Sequence, residues 1–256
     1  MIIVFSGTGN SLLVARRLQE RIGGELVTLE GERLTAPEHT LLTVAPGEPV
    51  VWVMPVYSWG VPQAVEAFMR LVRFKGAPQS PHFLVMTCGD DIGYADNCWR
   101  KIAGRRGWWP RGSFTVAMPN TYVLLKGFDT DSPEVAQRKL DAMPARVDAV
   151  AAAIGRGFDG DDVTRGSWAW VKTALLRPLF NIFLTSPKPF GCDPAKCTSC
   201  GLCARECPME NITLTDGRPQ WGNRCALCLR CYHGCPSHAV AYGEATRGKG
   251  QKKVFR

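Results

Sequence analysis

Short apolar runs alternate with longer stretches of helical periodicity through the first 155 residues. The apolar runs predict β-strands at residues 1–5, 25–29, 50–54, 82–87 and 113–118. The stretches between them predict helices at residues 10–22, 62–74, 94–106 and 133–154. This alternation predicts an α/β fold, a doubly wound sheet with helices on both faces. Runs without a polar break, such as residues 50–54, are typical of parallel strands buried on both sides.

The pattern changes after residue 155. Residues 155–162 are rich in glycine and aspartate, which predicts a linker. Residues 167–185 carry large apolar side chains at helical spacing, namely Trp168, Val171, Leu175, Leu179 and Ile182. Lys172, Arg177 and Pro178 interrupt this segment, so it is too short and too broken to span a bilayer. We predict a helix that packs two domains together, with an interfacial membrane helix as the alternative.

These changes divide the chain into four parts. Residues 1–155 form the α/β domain, 156–190 a linker and interdomain helix, 191–245 a small cysteine-rich α+β domain, and 246–256 a basic tail. A length of 256 residues suits one medium and one small domain. A hydrophobic fraction of 45% with 21% charged residues is ordinary for a soluble globular protein, so composition excludes neither an enzyme nor a binding protein.

The net charge of +8 comes mostly from the tail. The last eleven residues hold five basic side chains and no acidic one, namely Arg247, Lys249, Lys252, Lys253 and Arg256. The rest of the chain is close to neutral, so we predict no nucleic-acid binding. The tail is suited to docking an acidic protein or a membrane surface, or it is a solvated terminus.

Eight of the eleven cysteines fall into two copies of one pattern. Each copy reads Cys-x-x-Cys-x-x-Cys-x-x-x-Cys-Pro, and the second begins 28 residues after the first. The copies contain Cys197, Cys200, Cys203 and Cys207, and then Cys225, Cys228, Cys231 and Cys235. This spacing is the bacterial ferredoxin signature, and it predicts two [4Fe–4S] clusters.

The spacing also predicts which thiolates share a cluster. Three cysteines two residues apart let a short loop curl around three corners of an iron–sulfur cube, and the fourth cysteine of each run ligates the other cluster. The first cluster site therefore consists of Cys197, Cys200, Cys203 and Cys235. The second cluster site consists of Cys225, Cys228, Cys231 and Cys207.

Two other uses of these cysteines compete with this interpretation. Structural zinc needs only four ligands per site and has no use for a third cysteine in each run. A disulfide framework needs export, whereas we find no signal peptide and an odd number of cysteines. We therefore expect a reducing, cytoplasmic location. We interpret Cys88, Cys98 and Cys192 as spare thiols, and we expect His233 to donate to a cluster sulfur.

Three loops follow predicted strands and so belong at the carboxyl edge of the sheet, where ligands bind in such folds. Residues 6–11 (SGTGNS) combine glycines, hydroxyls and a helix start, which favours an anion. This loop lacks the Gly-Lys-Ser/Thr of a Walker loop, and Leu12 occupies the third glycine position of a dinucleotide fingerprint. The neutral hydrogen-bond donors of this loop suit a phosphomonoester.

The other two loops contain aromatic side chains. In residues 55–62, two aromatic side chains between prolines suit stacking on a ring system, and residues 87–94 again combine glycines with an aromatic.

Together these loops resemble those of flavodoxins, and the whole chain resembles the flavodoxin–ferredoxin fusion proteins of anaerobic bacteria. The resemblance implies a five-stranded parallel sheet in the order 2-1-3-4-5 and bound FMN. It implies that the FMN phosphate is held by Ser6, Thr8, Gly9, Asn10 and Ser11. It also implies that Tyr57, Trp59 and Gly60 line one side of the isoalloxazine, and that residues 89–94, including Gly89, Asp90 and Tyr94, line the other.

The chain departs from this family in two respects. Both modules are near neutral, whereas free-standing flavodoxins and small ferredoxins are usually strongly acidic. The Asp90–Asp91 pair is also bulkier and more charged than the small residues expected in that loop. A carboxylate beside the flavin would lower its reduction potential by repelling negative charge, which Asp90→Asn tests; the alternative is that both aspartates are solvent-facing turn residues.

The sequence thus predicts an electron-transfer protein that relays electrons between two [4Fe–4S] clusters and FMN, with a redox protein as donor or acceptor. A first alternative is an FMN-dependent reductase of a small-molecule acceptor, fed by the ferredoxin domain. A second is a redox sensor or an iron–sulfur assembly factor. No nucleophile–base arrangement is present in the sequence, so we do not expect a hydrolase.

Overall fold

The computed structural model describes residues 1–252, 254 and 255. Its main element is a parallel sheet of six strands in the order β2-β1-β4-β6-β7-β8. The six strands of this sheet are β1 Ile2–Val4, β2 Leu26–Thr28, β4 Val50–Pro55, β6 Pro81–Cys88, β7 Trp109–Ala117 and β8 Gly160–Asp162. The two remaining short strands of this region, β3 Leu41–Thr43 and β5 Arg73–Lys75, pair with each other outside the sheet. The prediction of five strands in the order 2-1-3-4-5 is incomplete, because it corresponds to β2-β1-β4-β6-β7 and lacks β8. Residues 160–162, predicted as linker, form this sixth strand beside β7.

Helices cover both faces of the sheet, as the pattern predicts. They are α1 Asn10–Ile22, α2 Glu32–Thr35, α3 Gln63–Leu71, α4 Ala95–Arg105 and α5 Pro133–Gly155. Alternate residues of one strand belong to opposite cores: Trp52 packs on the side of α3 and α4, and Val51 and Val53 pack on the side of α1 and α5. This period of two places a fully buried sheet between two apolar layers.

Residues 169–183, which we call the bridge helix, lead from this domain to the cysteine-rich one. The helix comprises α6 Ala169–Val171, a π-helical turn Lys172–Leu176 and α7 Arg177–Phe183. Its anchors lie in the loops at the carboxyl edge of the sheet: the Lys172 ammonium pairs with Asp91 at 2.6 Å, and Thr173 Oγ1 accepts from the Tyr94 N–H at 2.9 Å. Among the described residues, no helix is long and apolar enough to cross a membrane.

The cysteine-rich domain is a structural duplication. Its elements are β9 Phe190–Cys192, α8 Leu202–Arg205, β10 Ile212–Thr215, β11 Arg218–Trp221, α9 Arg230–His233 and β12 Val240–Tyr242. Each element of the first half recurs 28 residues later, and the halves interlock because β9 pairs with β12 and β10 with β11. The left-handed backbone positions also repeat at that interval, as Ser199 with Leu227, Gly201 with Leu229 and Glu210 with His238.

The tail is folded onto the protein rather than solvated. The Lys249 ammonium donates to the carbonyls of Val123 and Leu125, and the Gly250 N–H donates to Asp129 Oδ1 at 3.2 Å. Further along, the Phe255 N–H donates to the Thr8 carbonyl at 3.1 Å. We call residues 249–252, 254 and 255 the C-terminal strap. Of the five basic tail residues, Lys253 and Arg256 lie outside the described residues.

Candidate functional site

A cavity of about 640 Å³ opens at the carboxyl ends of β1, β4 and β6. The three predicted loops form one wall, and residues 118–122 after β7 extend it. The opposite wall is residues 224–229 of the second cysteine run, so the cavity lies between the two domains. Its volume falls in the range of small-molecule and cofactor sites.

The loop of residues 6–11 has the form of an anion cradle. Gly9 adopts φ 95° and precedes α1, and its N–H donates to Ser6 Oγ at 3.1 Å. Ser11 Oγ lies 2.8 Å from Thr87 Oγ1, which ties the loop to the end of β6. Hydroxyl side chains at the N-terminus of a 13-residue helix suit a phosphate group.

The two glycines of this loop also allow close packing from outside. A Cβ on Gly7 would lie 2.5 Å from the Cys228 carbonyl oxygen, so only glycine lets the second cysteine run approach this closely. A Cβ on Gly9 would overlap the backbone of Phe255 in the strap. Gly7 therefore permits the close approach of the second cysteine run and Gly9 that of the strap, a role that the sequence pattern did not reveal.

The aromatic loop is a tight hairpin. Tyr57 and Gly60 exchange both backbone hydrogen bonds at 3.1 Å, and the two residues between them, Ser58 and Trp59, have φ of 48° and 53°. Non-glycine residues adopt this conformation only where the surroundings enforce it, and such strain is typical of functional sites. The Tyr57 ring stands edge-on to Phe5, and burial raises the pKa of its hydroxyl well above the usual value.

The third loop carries the two aspartates. Asp91 is neutralised by Lys172 and also accepts from the Gly93 N–H at 3.1 Å. Asp90 is exposed and lines the cavity, so it is the carboxylate to which the potential hypothesis applies. That hypothesis remains a prediction.

The structure brings most of the predicted FMN residues to the cavity wall. Those that line it are Ser6, Thr8, Asn10, Ser11, Tyr57, Trp59, Gly89 and Asp90. Three others are covered by neighbouring groups: Gly9 by Phe255, Gly60 by the Arg177 side chain, and Tyr94 by the Arg165 guanidinium 4.6 Å above its ring. For all of them, FMN binding remains a prediction.

Further wall residues come from other segments, of which only residues 120–122 are a sequence-based candidate, left open between facing a substrate and plain loop structure. The loop after β7 contributes Asn120 and Tyr122, the bridge helix contributes Lys172 and Phe180, and the cysteine run contributes Leu227. The place of residues 118–122 after the fifth predicted strand was a usable signal. The other contributions depend on how the domains dock.

The structure brings cysteines of the two runs close to each other, and the cross-ligation of two clusters remains a prediction. Burial and then neighbouring thiols, Cys207 among them, raise the pKa values of Cys225, Cys228 and Cys231. The pKa of Cys203 is raised by burial and by the neighbouring Cys235. A small cavity is lined by the thiols of the first cluster site, Cys197, Cys200, Cys203 and Cys235. Thiolate donors arranged in this way fit a four-iron cube.

Backbone N–H groups point at the sulfurs in a repeating manner. The Asn211 N–H donates to Cys207 Sγ at 3.4 Å, and its counterpart 28 residues later, Ala239, donates to Cys235 Sγ at 3.3 Å. Such bonds tune cluster potentials. The described residues contain no group of three or more His, Cys, Asp or Glu side chains placed to hold a single metal ion.

His233 does not reach a cluster sulfur, so that expectation is wrong. Its Nδ1 accepts from the Lys252 N–H at 3.1 Å, which leaves Nε2 to donate to the Thr121 carbonyl at 2.8 Å. Burial lowers the pKa of the imidazole to about 4. His233 therefore joins the second cysteine run to the strap and to the cavity wall.

Comparison with known proteins supports an iron–sulfur role for the cysteine-rich region. The family described as 4Fe-4S dicluster domain matches residues 196–240. This match supports a ferredoxin-like domain with iron–sulfur binding and a role in electron transfer. No curated protein matches the sequence. The solved structure of the Trp repressor binding protein from Bacillus subtilis is similar at 12% identity and a TM-score of 0.37, and the match covers 57% of this chain and 96% of that chain.

Proposed function

We propose that the protein is an iron–sulfur flavoprotein that relays electrons between a redox partner and FMN through two [4Fe–4S] clusters. The observation that carries this proposal is the shared wall between cavity and cysteine run: Cys225 and Cys228 line the cavity that the flavodoxin-like loops enclose. When bound, clusters exchange single electrons and FMN exchanges one or two, so adjacent sites allow conversion between the two modes.

The two cluster sites have different surroundings, which suits a relay. In the first site the Cys200 side chain is exposed, so a partner has access to it. In the second site the peptide at Cys228 touches Gly7 of the phosphate loop. The protein thereby offers one site to solvent and one to the cavity. Ser6, Thr8, Asn10 and Ser11 would hold the phosphate, and Tyr57 and Trp59 would flank the ring.

Cofactor content tests this proposal. The protein is purified anaerobically, and iron, acid-labile sulfide and FMN are measured per chain together with the visible spectrum. We expect about eight irons, eight sulfides and one FMN. Eight irons without flavin would disprove the assignment of the cavity, and zinc in place of iron would disprove the relay altogether.

A reductase acting on a small molecule is a second candidate, because the cavity continues beyond the flavodoxin-like loops. Leu125, Phe128 and Phe180 line this extension, and the Tyr122 ring contacts both phenylalanines at 5.6 and 6.1 Å. Turnover of a soluble acceptor that Phe180→Ala impairs through KM would support this activity. Flavin reoxidation that depends only on a protein acceptor would count against it.

A further inference from the structure

The outer face of the bridge helix carries more exposed large apolar side chains than any other segment of comparable length in the described chain. Thirteen large apolar side chains are exposed in the described residues, and eight of them belong to this helix and its ends. They are Trp168, Trp170, Leu175, Leu176, Leu179, Ile182, Phe183 and Leu184. Trp168 is 78% exposed, and Ile182 and Phe183 are each 71% exposed. A contiguous face of this kind marks an interaction site.

The helix cannot turn this face inward, because its polar face is already bound. Lys172 pairs with Asp91 at 2.6 Å, and Thr173 Oγ1 donates to the Trp59 carbonyl at 3.2 Å. The Arg177 guanidinium donates to the Val61 carbonyl at 3.2 Å. Rotation would break these contacts with the loops of residues 55–62 and 87–94. These polar contacts therefore keep the apolar face of the bridge helix exposed to solvent.

The segment that carries this apolar face contributes only basic charged side chains. Residues 163–192 contain four basic side chains and no acidic one. Three of the four are paired with carboxylates of the N-terminal domain, and the fourth, Lys188, is exposed shortly after the helix ends. Trp168 and Trp170 stand at the start of the helix, and tryptophan favours the interface between lipid and water.

We infer that the outer face of the bridge helix docks the protein on an anionic membrane surface, with the helix lying in the plane of the interface. A broad apolar face without carboxylates, flanked by tryptophans and lysine, matches a surface of acidic lipid headgroups. A second copy of the chain fits less well, because it would bring another exposed Lys188 to the same surface and no carboxylate from this segment to pair with it. The same helix lines the cavity through Phe180 and Asn181, so docking would place the cavity beside the lipid.

Vesicle flotation tests the inference on the full-length protein with its cofactors. We expect it to float with vesicles of phosphatidylcholine mixed with phosphatidylglycerol and to float less with phosphatidylcholine alone. The double variant Ile182→Ser/Phe183→Ser should lose about tenfold or more in partitioning. The matched control Leu41→Ser/Leu71→Ser changes two exposed apolar residues elsewhere and should float like the wild type. Unchanged visible spectra show that the variants are folded.

Three outcomes would overturn the inference. The first is wild-type protein that does not float with either vesicle. The second is flotation that the control variant loses as much as the bridge-helix variant does. The third is a wild-type dimer that Ile182→Ser/Phe183→Ser converts to a monomer in sedimentation, without flotation, which would assign the face to a second copy. Flotation needs no electron transfer, so these results are separate from a failure of the proposed relay.

Discussion

Arg230 Nε donates to the Gly7 carbonyl at 2.7 Å, and Arg230 Nη2 donates to the neighbouring carbonyl of Ser6 at the same distance. Arg230 lies between Cys228 and Cys231 in sequence, and its guanidinium contacts the backbone of the loop of residues 6–11. Its side chain is 14% exposed, so these charge-assisted bonds are shielded from water. One residue of the cysteine-rich domain thus fixes the position of a loop in the cavity wall.

Removing the Arg230 guanidinium should loosen the two domains. In Arg230→Met the carbonyls of Ser6 and Gly7 lose their donors, and we expect the free energy of unfolding to fall by about 2 kcal/mol or more. Thermal unfolding measures this loss, and stopped-flow reduction of the flavin through the clusters should be slower. Arg247→Met, at an exposed pair, is the control and should change neither. Equal effects of the two variants would contradict a specific role for Arg230.

Gly7→Ala tests the close approach of the phosphate loop to Cys228. The new Cβ would lie 2.5 Å from the Cys228 carbonyl oxygen and 2.9 Å from its Cβ, so one domain must shift. We expect faster proteolysis between the domains and slower flavin reduction, with iron content retained. Gly104→Ala is the matched control, because Gly104 lies in α4 with nothing within 4 Å of the added Cβ. That variant should be neutral or more stable by up to about 1 kcal/mol. Wild-type behaviour of Gly7→Ala would show that the contact is not needed.

Cross-ligation predicts that Cys207→Ser damages the cluster of the other run. Cys207 lies near Cys225, Cys228 and Cys231, so its loss should remove about half of the iron while the first cluster site keeps its cluster. Iron analysis and electron paramagnetic resonance of the reduced protein measure this. Cys98→Ser, at a cysteine of helix α4 outside both runs, should retain all iron. Loss of the first cluster in Cys207→Ser would reverse the assignment.

The C-terminal strap should protect the clusters from oxygen. Val254 lines a small cavity together with Cys203 and Cys231, one from each cluster site. Truncation after Gly248 removes this cover and the bonds to His233 and Thr8, so we expect visible absorbance to bleach several times faster in air. Val254→Ser should show a smaller effect of the same sign, and Glu244→Gln, an exposed substitution before the strap, should show none. Equal bleaching rates for truncated and intact protein would assign the strap no protective role.

His82 should make stability depend on pH. It is fully buried, accepts from Trp52 Nε1 at 3.0 Å and stacks on Trp108, and burial lowers its pKa from 6.5 to about 4. The folded imidazole stays neutral while the unfolded one takes up a proton below pH 6.5. Its contribution is therefore complete above pH 6.5 and is lost as pH falls toward 4. The full loss is about 3 kcal/mol.

Denaturant unfolding at several pH values measures this dependence. In His82→Gln the fall in stability between neutral pH and pH 4 should be smaller than in the wild type, since the titrating group is gone. His39, whose side chain is 67% exposed, provides the control, and His39→Gln should keep the wild-type dependence. Identical pH profiles for wild type and His82→Gln would disprove the effect.

Predictions from the sequence agree with the structure where an element buries an apolar face, because burial produces a periodic pattern of apolar residues. Helix α1 has the predicted bounds, because its periodic apolar face follows a glycine-containing loop. Prediction from the sequence failed at β8, which contains no large apolar residue. That strand pairs with β7 by its backbone and is stabilised by Asp161 with Arg100 at 2.7 Å and Asp162 with Arg146 at 2.7 Å. Edge pairing of this kind leaves no hydrophobic signature.

The local sequence pattern predicts the cluster cysteines, because the reach of a short loop limits which thiolates share a cube. It also predicts three loops at one edge of the sheet, because parallel strands end there. Which surfaces meet follows only from tertiary packing. Arg230 and Gly7 are 223 positions apart, and Arg230 binds a carbonyl that every residue carries. Likewise, the glycines that admit Cys228 and Phe255 resemble any phosphate-loop glycines until the neighbouring backbone is in place. Contacts between distant backbones depend on the packed arrangement of whole domains, which no local pattern encodes.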